Sequence, residues 1–254
     1  MKPISTKQLN LYKNKDVNES YIENLMPLSV HLSELRKKIL ISLIVVCITM
    51  LVGFSYSKEI VGLLTKIAPK GTMFLQIRPG EFFFTSLRVA LFIGSISASP
   101  IIISQLSSFI LPGLTRKEKS IVIPILTSAP FLFFTGVIFA YFFVVPSMLT
   151  FLFGFGKDII SASISIEHFI SFTLMIMAIC GCTFLLPIVI LALANVGIVN
   201  SQMLIKEWRY AILASVLFGA ILTPTPDPFN MSIVSGILIA LYFVSVGVLK
   251  IMRL

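Results

Sequence analysis

Six stretches of this chain are too apolar and too long to leave in water, and they decide what it can fold into. The hydrocarbon core of a bilayer is about 30 Å thick and a helix rises about 1.5 Å per residue, so about 20 apolar residues cross it. Runs of that character occupy residues 39–56, 82–111, 120–143, 169–194, 210–222 and 231–249. Peptide groups left unpaired in lipid cost several kcal/mol each, so these runs are expected to be helices; the alternating pattern of barrel strands is absent. The fold class that follows is an all-α membrane protein of about six transmembrane helices, kinked and cupped. Composition agrees, because 57% of the 254 residues are hydrophobic and only 12% are charged, too few to cover a water-soluble surface. The fifth run is short. Its thirteen or so residues reach about 20 Å, which calls for a locally thinner bilayer beside it.

Lys and Arg are distributed unequally between the two ends of these runs. One side carries Lys2, Lys7, Lys13, Lys15, Arg36, Lys37 and Lys38, then Arg116, Lys117, Lys119, Lys206, Arg209, Lys250 and Arg253. The other side has Lys58, Lys66, Lys70, Arg78 and Lys157, with Arg88 a turn or two into the second run. Basic residues are retained on the cytoplasmic face, so both termini are expected there, or in the stroma of a plastid. The first 38 residues lack the apolar core of a cleavable signal, and the first run reads as an uncleaved start-transfer helix. Residues 1–25 form a polar tail and 26–254 the membrane domain. Pro100, Pro124, Pro130, Pro146 and Pro187 fall within or near the runs, where each removes a helical hydrogen bond and bends the helix.

The chemistry of an enzyme is missing from this pattern. An intramembrane hydrolase needs a nucleophile beside a base, paired acids or a metal set. His31 and His168 stand at helix entrances, no HExxH or GxSxG motif occurs, and Cys47, Cys180 and Cys182 lie in apolar runs without metal spacing and read as small packing residues. Arg88 is close enough to a run's end to extend its charge to the headgroups. No cofactor, metal or nucleic acid is expected. With almost no charge in the middle of the runs there is neither a proton relay nor a gating array. A small-solute transporter or channel subunit remains the alternative, on the strength of the bent helices; it lacks a visible internal repeat.

Polar groups concentrate instead at the basic face. Leu28, Leu32 and Leu35 share one face of a short amphipathic helix before the first run. Glu34 lies there among Arg36, Lys37 and Lys38, positioned to pair with Lys38 one turn on. The tight connection Leu111-Pro112-Gly113-Leu114-Thr115-Arg116-Lys117-Glu118-Lys119 also sets one carboxylate among cations. Two such carboxylates on one membrane face can receive guanidinium groups, for which bidentate pairing is strong and directional.

Five separated motifs, in order, carry a family resemblance. They are His31-Leu32-Ser33-Glu34-Leu35-Arg36; Phe109-Ile110-Leu111-Pro112-Gly113-Leu114 with Glu118; Phe139-Ala140-Tyr141 with Pro146; Trp208-Arg209-Tyr210; and Leu222-Thr223-Pro224-Thr225-Pro226-Asp227-Pro228. Together they resemble the TatC family, the multi-spanning receptor subunit of the twin-arginine protein translocase, from about Met26 to Leu249. The stretch Phe74-Leu75-Gln76-Ile77-Arg78-Pro79-Gly80-Glu81-Phe82-Phe83-Phe84 looks most like cyanobacterial and plastid members. The resemblance implies six helices with a short fifth and sixth, termini in the cytoplasm or stroma, and a binding site for twin-arginine signal peptides. It assigns Glu34 and Glu118 to the signal's arginines and Phe109 and Pro112 to the shape of the same loop, with His31 and Arg36 beside them. It also implies single-span partners of the TatA and TatB type, an oligomeric complex, and transport of folded cargo driven by the proton-motive force. This places the chain in a plastid or cyanobacterial thylakoid membrane, or a bacterial cytoplasmic membrane. Two positions depart from the family. Leu185, in Thr183-Phe184-Leu185-Leu186-Pro187, stands where the family usually has Glu or Gln, and Met231 where it usually has Gln. Both belong to the implied partner-contact surface, where Thr223 and Asn230 remain as polar groups, either for partner contact or for capping the loop between them.

Overall fold

The computed structural model describes residues 28–110, 116–154, 163–195, 197–223 and 228–252; within these, the side chains of residues 28–31, 110, 116–118, 120 and 121 are not described. The polar tail of residues 1–25 therefore lies outside the described residues. Chain contacts define two units, Met1–Ile41 and Ser42–Leu254. Helix α1 runs over Leu28–Ser55, followed by α2 (Ser57–Thr65) and strand β1 (Met73–Leu75). Then come α3 (Glu81–Ile110), α4 (Arg116–Phe139), a π turn (Ala140–Val144) and α5 (Val145–Gly154). Strand β2 (Ser163–Ser165) leads into α6 (Ile166–Thr183) and α7 (Leu186–Asn195), and the chain continues through α8 (Ser201–Lys206), α9 (Trp208–Leu222) and α10 (Pro228–Met252).

Among the described residues, five segments are long and apolar enough to span a membrane: Leu32–Ser55, Glu81–Phe109, Val122–Gly154, Ile166–Asn195 and Pro228–Met252. The remaining apolar helix, fifth in chain order, is α9, with only 15 residues, about 22 Å long at 1.5 Å per residue. The expected six helices are present and the fifth is short. The sixth is not short, since α10 has 25 residues, which corrects the length the family resemblance implied. The amphipathic segment before the first span is also no separate helix. It is the first part of the continuous 28-residue α1, with Leu32 63% exposed.

The prolines fall into two groups. Helix α3 continues through Pro100, and α4 through Pro124 and Pro130. Side-chain hydroxyls supply local hydrogen bonds nearby, as Thr127 donates to the Ile123 and Pro124 carbonyls and Ser128 to that of Ile125. Pro146 and Pro187 interrupt the regular pattern. Before Pro146 the backbone widens into the π turn, and the Val145 N–H reaches back five residues to the Ala140 carbonyl. Before Pro187 the helix tightens, with Leu185 N–H donating to the Cys182 carbonyl at 3.0 Å, and α7 resumes as Val189 N–H donates to Leu185 at 3.2 Å. Each proline lacks an N–H donor and crowds the carbonyl four residues earlier; at Pro146 and Pro187 the hydrogen-bond pattern changes ahead of the ring, whereas α3 and α4 carry theirs within the helix.

The core of the Ser42–Leu254 unit is built around α6. Phe169, Ile170 and Ile176 of that helix are fully buried among Val89, Val144, Met148 and Leu149. Cys180 lies in this core as a packing residue, whereas Cys47 and Cys182 are exposed. Hydrophobic transfer drives no association between helices already in lipid, so close contact of backbones matters more. Glycines supply it. A Cβ on Gly136 of α4 would lie 2.7 Å from the Cys180 carbonyl oxygen and 2.9 Å from Gly181 Cα, both backbone atoms of α6. Thr49 adds a hydrogen bond from α1 to the Gly94 carbonyl of α3 at 2.9 Å.

Gly136→Ala should therefore separate α4 from α6 and cost about 1–3 kcal/mol, lowering the melting temperature in detergent. Gly236→Ala, where a Cβ meets nothing within 4 Å, should leave it unchanged or slightly raised.

Candidate functional site

The expected signal-binding residues occupy the start of α1 and the connection from α3 to α4. Glu34 is half-buried on α1 and Arg36 is exposed. His31 is helical in backbone, but its side chain lies outside the described residues. Phe109 is half-buried in the last turn of α3. Pro112 lies outside the described residues, and Glu118 is placed by its backbone alone, in the first turn of α4. In sequence, Arg116, Lys117 and Lys119 flank Glu118 in that turn.

Of the expected partner-contact residues, Leu185 lies at the α6–α7 interruption, and Thr223, Asn230 and Met231 lie at the end of α9 and the start of α10. Leu185 is half-buried and borders two apolar recesses. One, of about 330 Å³, is walled by Phe92, Ser95 and Ser99 of α3, Phe133 of α4 and Ala178 of α6. The other, of about 540 Å³, reaches across to Phe218 and Leu222 of α9 and Leu238 of α10. Leu185 and the residue preceding Thr223 thus share one recess. Thr223 is buried at the end of α9, its N–H donating to the Gly219 carbonyl at 3.1 Å. Asn230 is fully buried in the first turn of α10, and the Met231 carbonyl accepts the Ser235 hydroxyl at 2.7 Å. Gly219 lets α9 approach this turn, because a Cβ there would lie 3.2 Å from the Met231 oxygen and collide with Ser235 Oγ.

A third polar cluster was not anticipated from the sequence. It is centred on Glu81, 3% exposed at the start of α3. Pro79 and Gly80 (φ 82°) occupy the middle of a turn closed by Glu81 N–H donating to the Arg78 carbonyl at 3.2 Å. Proline followed by a glycine at positive φ is the residue pattern of a type II turn. That turn folds the carboxylate back on its own loop, where Oε2 accepts the N–H groups of Ile77 at 2.7 Å and Arg78 at 3.0 Å. Oε1 accepts the hydroxyl of Ser165 and the N–H of Glu167 at 3.2 Å. Ser165 is also the N-cap of α6, accepting the His168 N–H at 3.4 Å. Beside this cluster β1 pairs in parallel with β2, with Met73 opposite Ser163 and Leu75 opposite Ser165.

Arg88, two turns along α3, completes the connection to α6. It forms an ion pair with Glu167 at 2.8 Å and donates to Ser171 Oγ at 2.5 Å. The sequence reading left its charge to the headgroups; the structure gives it a protein partner, although its side chain is still 51% exposed. The sequence marks the two halves separately, a turn at Pro79-Gly80 and a capping serine at Ser165, but nothing in it joins them. Among the described residues no group of His, Cys, Asp or Glu could hold a metal ion.

Comparison with known proteins decides the family. A sequence model described as Sec-independent protein translocase protein (TatC) matches residues 30–236. The chain belongs to the TatC family. Its relatives include the Sec-independent protein translocase protein TatC of Synechocystis sp., 39% identical over 228 residues that cover 89% of both chains. An uncharacterized tatC-like protein of Pyropia yezoensis is also 39% identical, over 249 residues that cover 97% of this chain and 98% of that one. The crystal structure of a twin-arginine translocase receptor TatC in detergent superposes with a TM-score of 0.74 at 32% identity, covering 86% of this chain and 99% of that one. The TatC-family chain is thus a multi-pass membrane protein of a thylakoid or bacterial membrane and a component of protein translocation, not an enzyme.

Ser165→Ala removes both the α6 cap and a donor to Glu81. We expect a loss of about 1–3 kcal/mol, read as thermal unfolding in detergent, against less than about 0.5 kcal/mol for Ser163→Ala at an exposed strand position.

Proposed function

We propose that this TatC-family chain is the receptor and core subunit of a twin-arginine translocase, capturing signal peptides at the cytoplasmic or stromal face through Glu34 and Glu118. The observation that carries the reading is the family match over residues 30–236, which includes both carboxylates and the cations around them. Topology supports it. Glu34 precedes the first span, and the α3–α4 connection follows the second, so two crossings return the chain to the face from which it started. The excess of Lys and Arg on that face assigns it, with both termini, to the cytoplasm or stroma. Each carboxylate offers two acceptor oxygens to a guanidinium, a geometry that lysine does not reproduce. Phe109, Pro112, His31 and Arg36 frame this site.

Leu185 and Met231, both half-buried, offer the contact for single-span partners of the TatA and TatB type in a multi-copy complex, and Thr223 and Asn230, buried at the end of α9 and the start of α10, support it from within. The recesses beside Leu185 are almost wholly apolar, and helices in lipid associate through shape and close packing as well as through scattered hydrogen bonds. Here packing takes over the contact for which other family members have an acid or amide. Folded cargo then crosses under the proton-motive force, without a nucleotide.

Glu34→Ala and Glu118→Ala should each weaken binding of a fluorescent twin-arginine signal peptide to the reconstituted chain at least tenfold, or about 1.4 kcal/mol. Unchanged affinity in both variants would contradict the site. Leu185→Glu should raise photocrosslinking to a co-expressed single-span subunit; an unchanged yield would show that the apolar surface already suffices.

A further inference from the structure

The Glu81 cluster lies at the opposite end of α3 from the proposed signal site, about 44 Å away for 29 residues at 1.5 Å each. It joins parts of the chain more than 80 residues apart. Glu81 receives Ile77 and Arg78 from its own loop and Ser165 and Glu167 from the entrance of α6. Arg88 repeats the connection two turns deeper, to Glu167 and Ser171. Helix α6 is then held again at Gly181, against Gly136 of α4. With α6 fixed at two points, the recess walled by Phe92 and Ser99 of α3, Phe133 of α4 and Ala178 of α6 has a defined width. Loss of the Glu81 contacts leaves the entrance of α6 tied by Arg88, the β1–β2 pair and core packing, so that this end can loosen relative to the Gly136–Gly181 contact.

We propose that Glu81 is a positioning residue, a latch between α3 and α6 that stays closed while cargo passes and that is needed for transport but not for capture of the signal peptide. The inference rests on the receptor reading for its transport consequence and on geometry alone for the latch. The chemistry of the cradle is specific. Three of its four donors are backbone N–H groups, divided between the two carboxylate oxygens. A glutamine offers one acceptor oxygen and turns an amide N–H toward the other donors, so it cannot replace the carboxylate despite its equal size. An aspartate lacks a methylene and cannot reach both strands of the cluster. Removing the charge alone should therefore open the latch.

The test is Glu81→Gln, with and without a covalent replacement for the latch. Met73 and Ser163 are register partners in the β1–β2 pair and both are exposed. Neighbouring strands lie about 4.8 Å apart, within the Cα separation a disulfide accepts, so the double variant Met73→Cys/Ser163→Cys can lock the same two segments. Spin labels at Leu91 and Met175, exposed positions on α3 and α6 outside the cluster, report the separation in liposomes without any signal peptide. Glu81→Gln should broaden and lengthen that distance distribution, and the oxidised disulfide should restore it. With the chain replacing TatC in Synechocystis sp., Glu81→Gln should lower export of a twin-arginine reporter at least tenfold while signal-peptide binding stays within twofold. Oxidation of the cysteine pair should return at least half of the export, and the pair in the Glu81 background should transport normally whether oxidised or reduced. An unchanged distance distribution in Glu81→Gln, a disulfide that restores distance but not export, or export blocked by the disulfide in the Glu81 background would overturn the proposal. Failure of the Glu81 chain to bind signal peptide would count against the receptor reading instead, and the distance measurement would still decide the latch.

Discussion

Hydrocarbon offers no hydrogen bonds, so every peptide group inside the bilayer must find its partner within the protein. Each departure from regular helix in this chain can be understood from that demand. Pro146 and Pro187 remove donors, and the backbone responds with a widened turn before one and a tightened turn before the other. Hydroxyls along the spans turn inward onto carbonyls of the preceding turn, as Thr135 does to Phe131 and Thr183 to Ile179. Where the chain leaves helix altogether, between α2 and α3 and again before α6, two short strands and the Glu81 carboxylate collect the free N–H groups. The same constraint makes buried polarity a tool for joining distant segments.

The second determinant is how closely helices can approach. Gly94 against Met50, Gly136 against Gly181 and Gly219 against Ser235 bring backbones together where any larger residue would collide. Apolar recesses lie on either side of Leu185. A partner helix entering them would find few polar groups, and its affinity would depend on shape.

Much of this was legible from the residues. Apolar length located all six helices to within a few positions at most ends, because hydrocarbon thickness is a hard limit. The largest boundary misses have physical causes. Helix α1 begins eleven residues before the apolar run, since Ser33-Glu34-Leu35-Arg36-Lys37-Lys38 is a good helix former that needs no burial. The third span continues through Pro146 to Gly154 because a π turn absorbs the proline. The Glu81 cluster could not be read, since its donors come from Ile77, Arg78, Ser165 and Glu167, and no local pattern announces a pairing across more than 80 residues. The residues assigned to signal binding were found through ordered motifs rather than through composition, which by itself shows only a basic membrane face.

The most direct measurement of the central claim is site-specific photocrosslinking from Ser33 and Lys117, the neighbours of Glu34 and Glu118, to a signal peptide with Arg-Arg or Lys-Lys at its core. The receptor account predicts labelling from both positions that is at least tenfold stronger with the arginine peptide. Equal labelling by the two peptides, or none by either, would contradict it and leave a six-helix membrane scaffold without a signal site at this face.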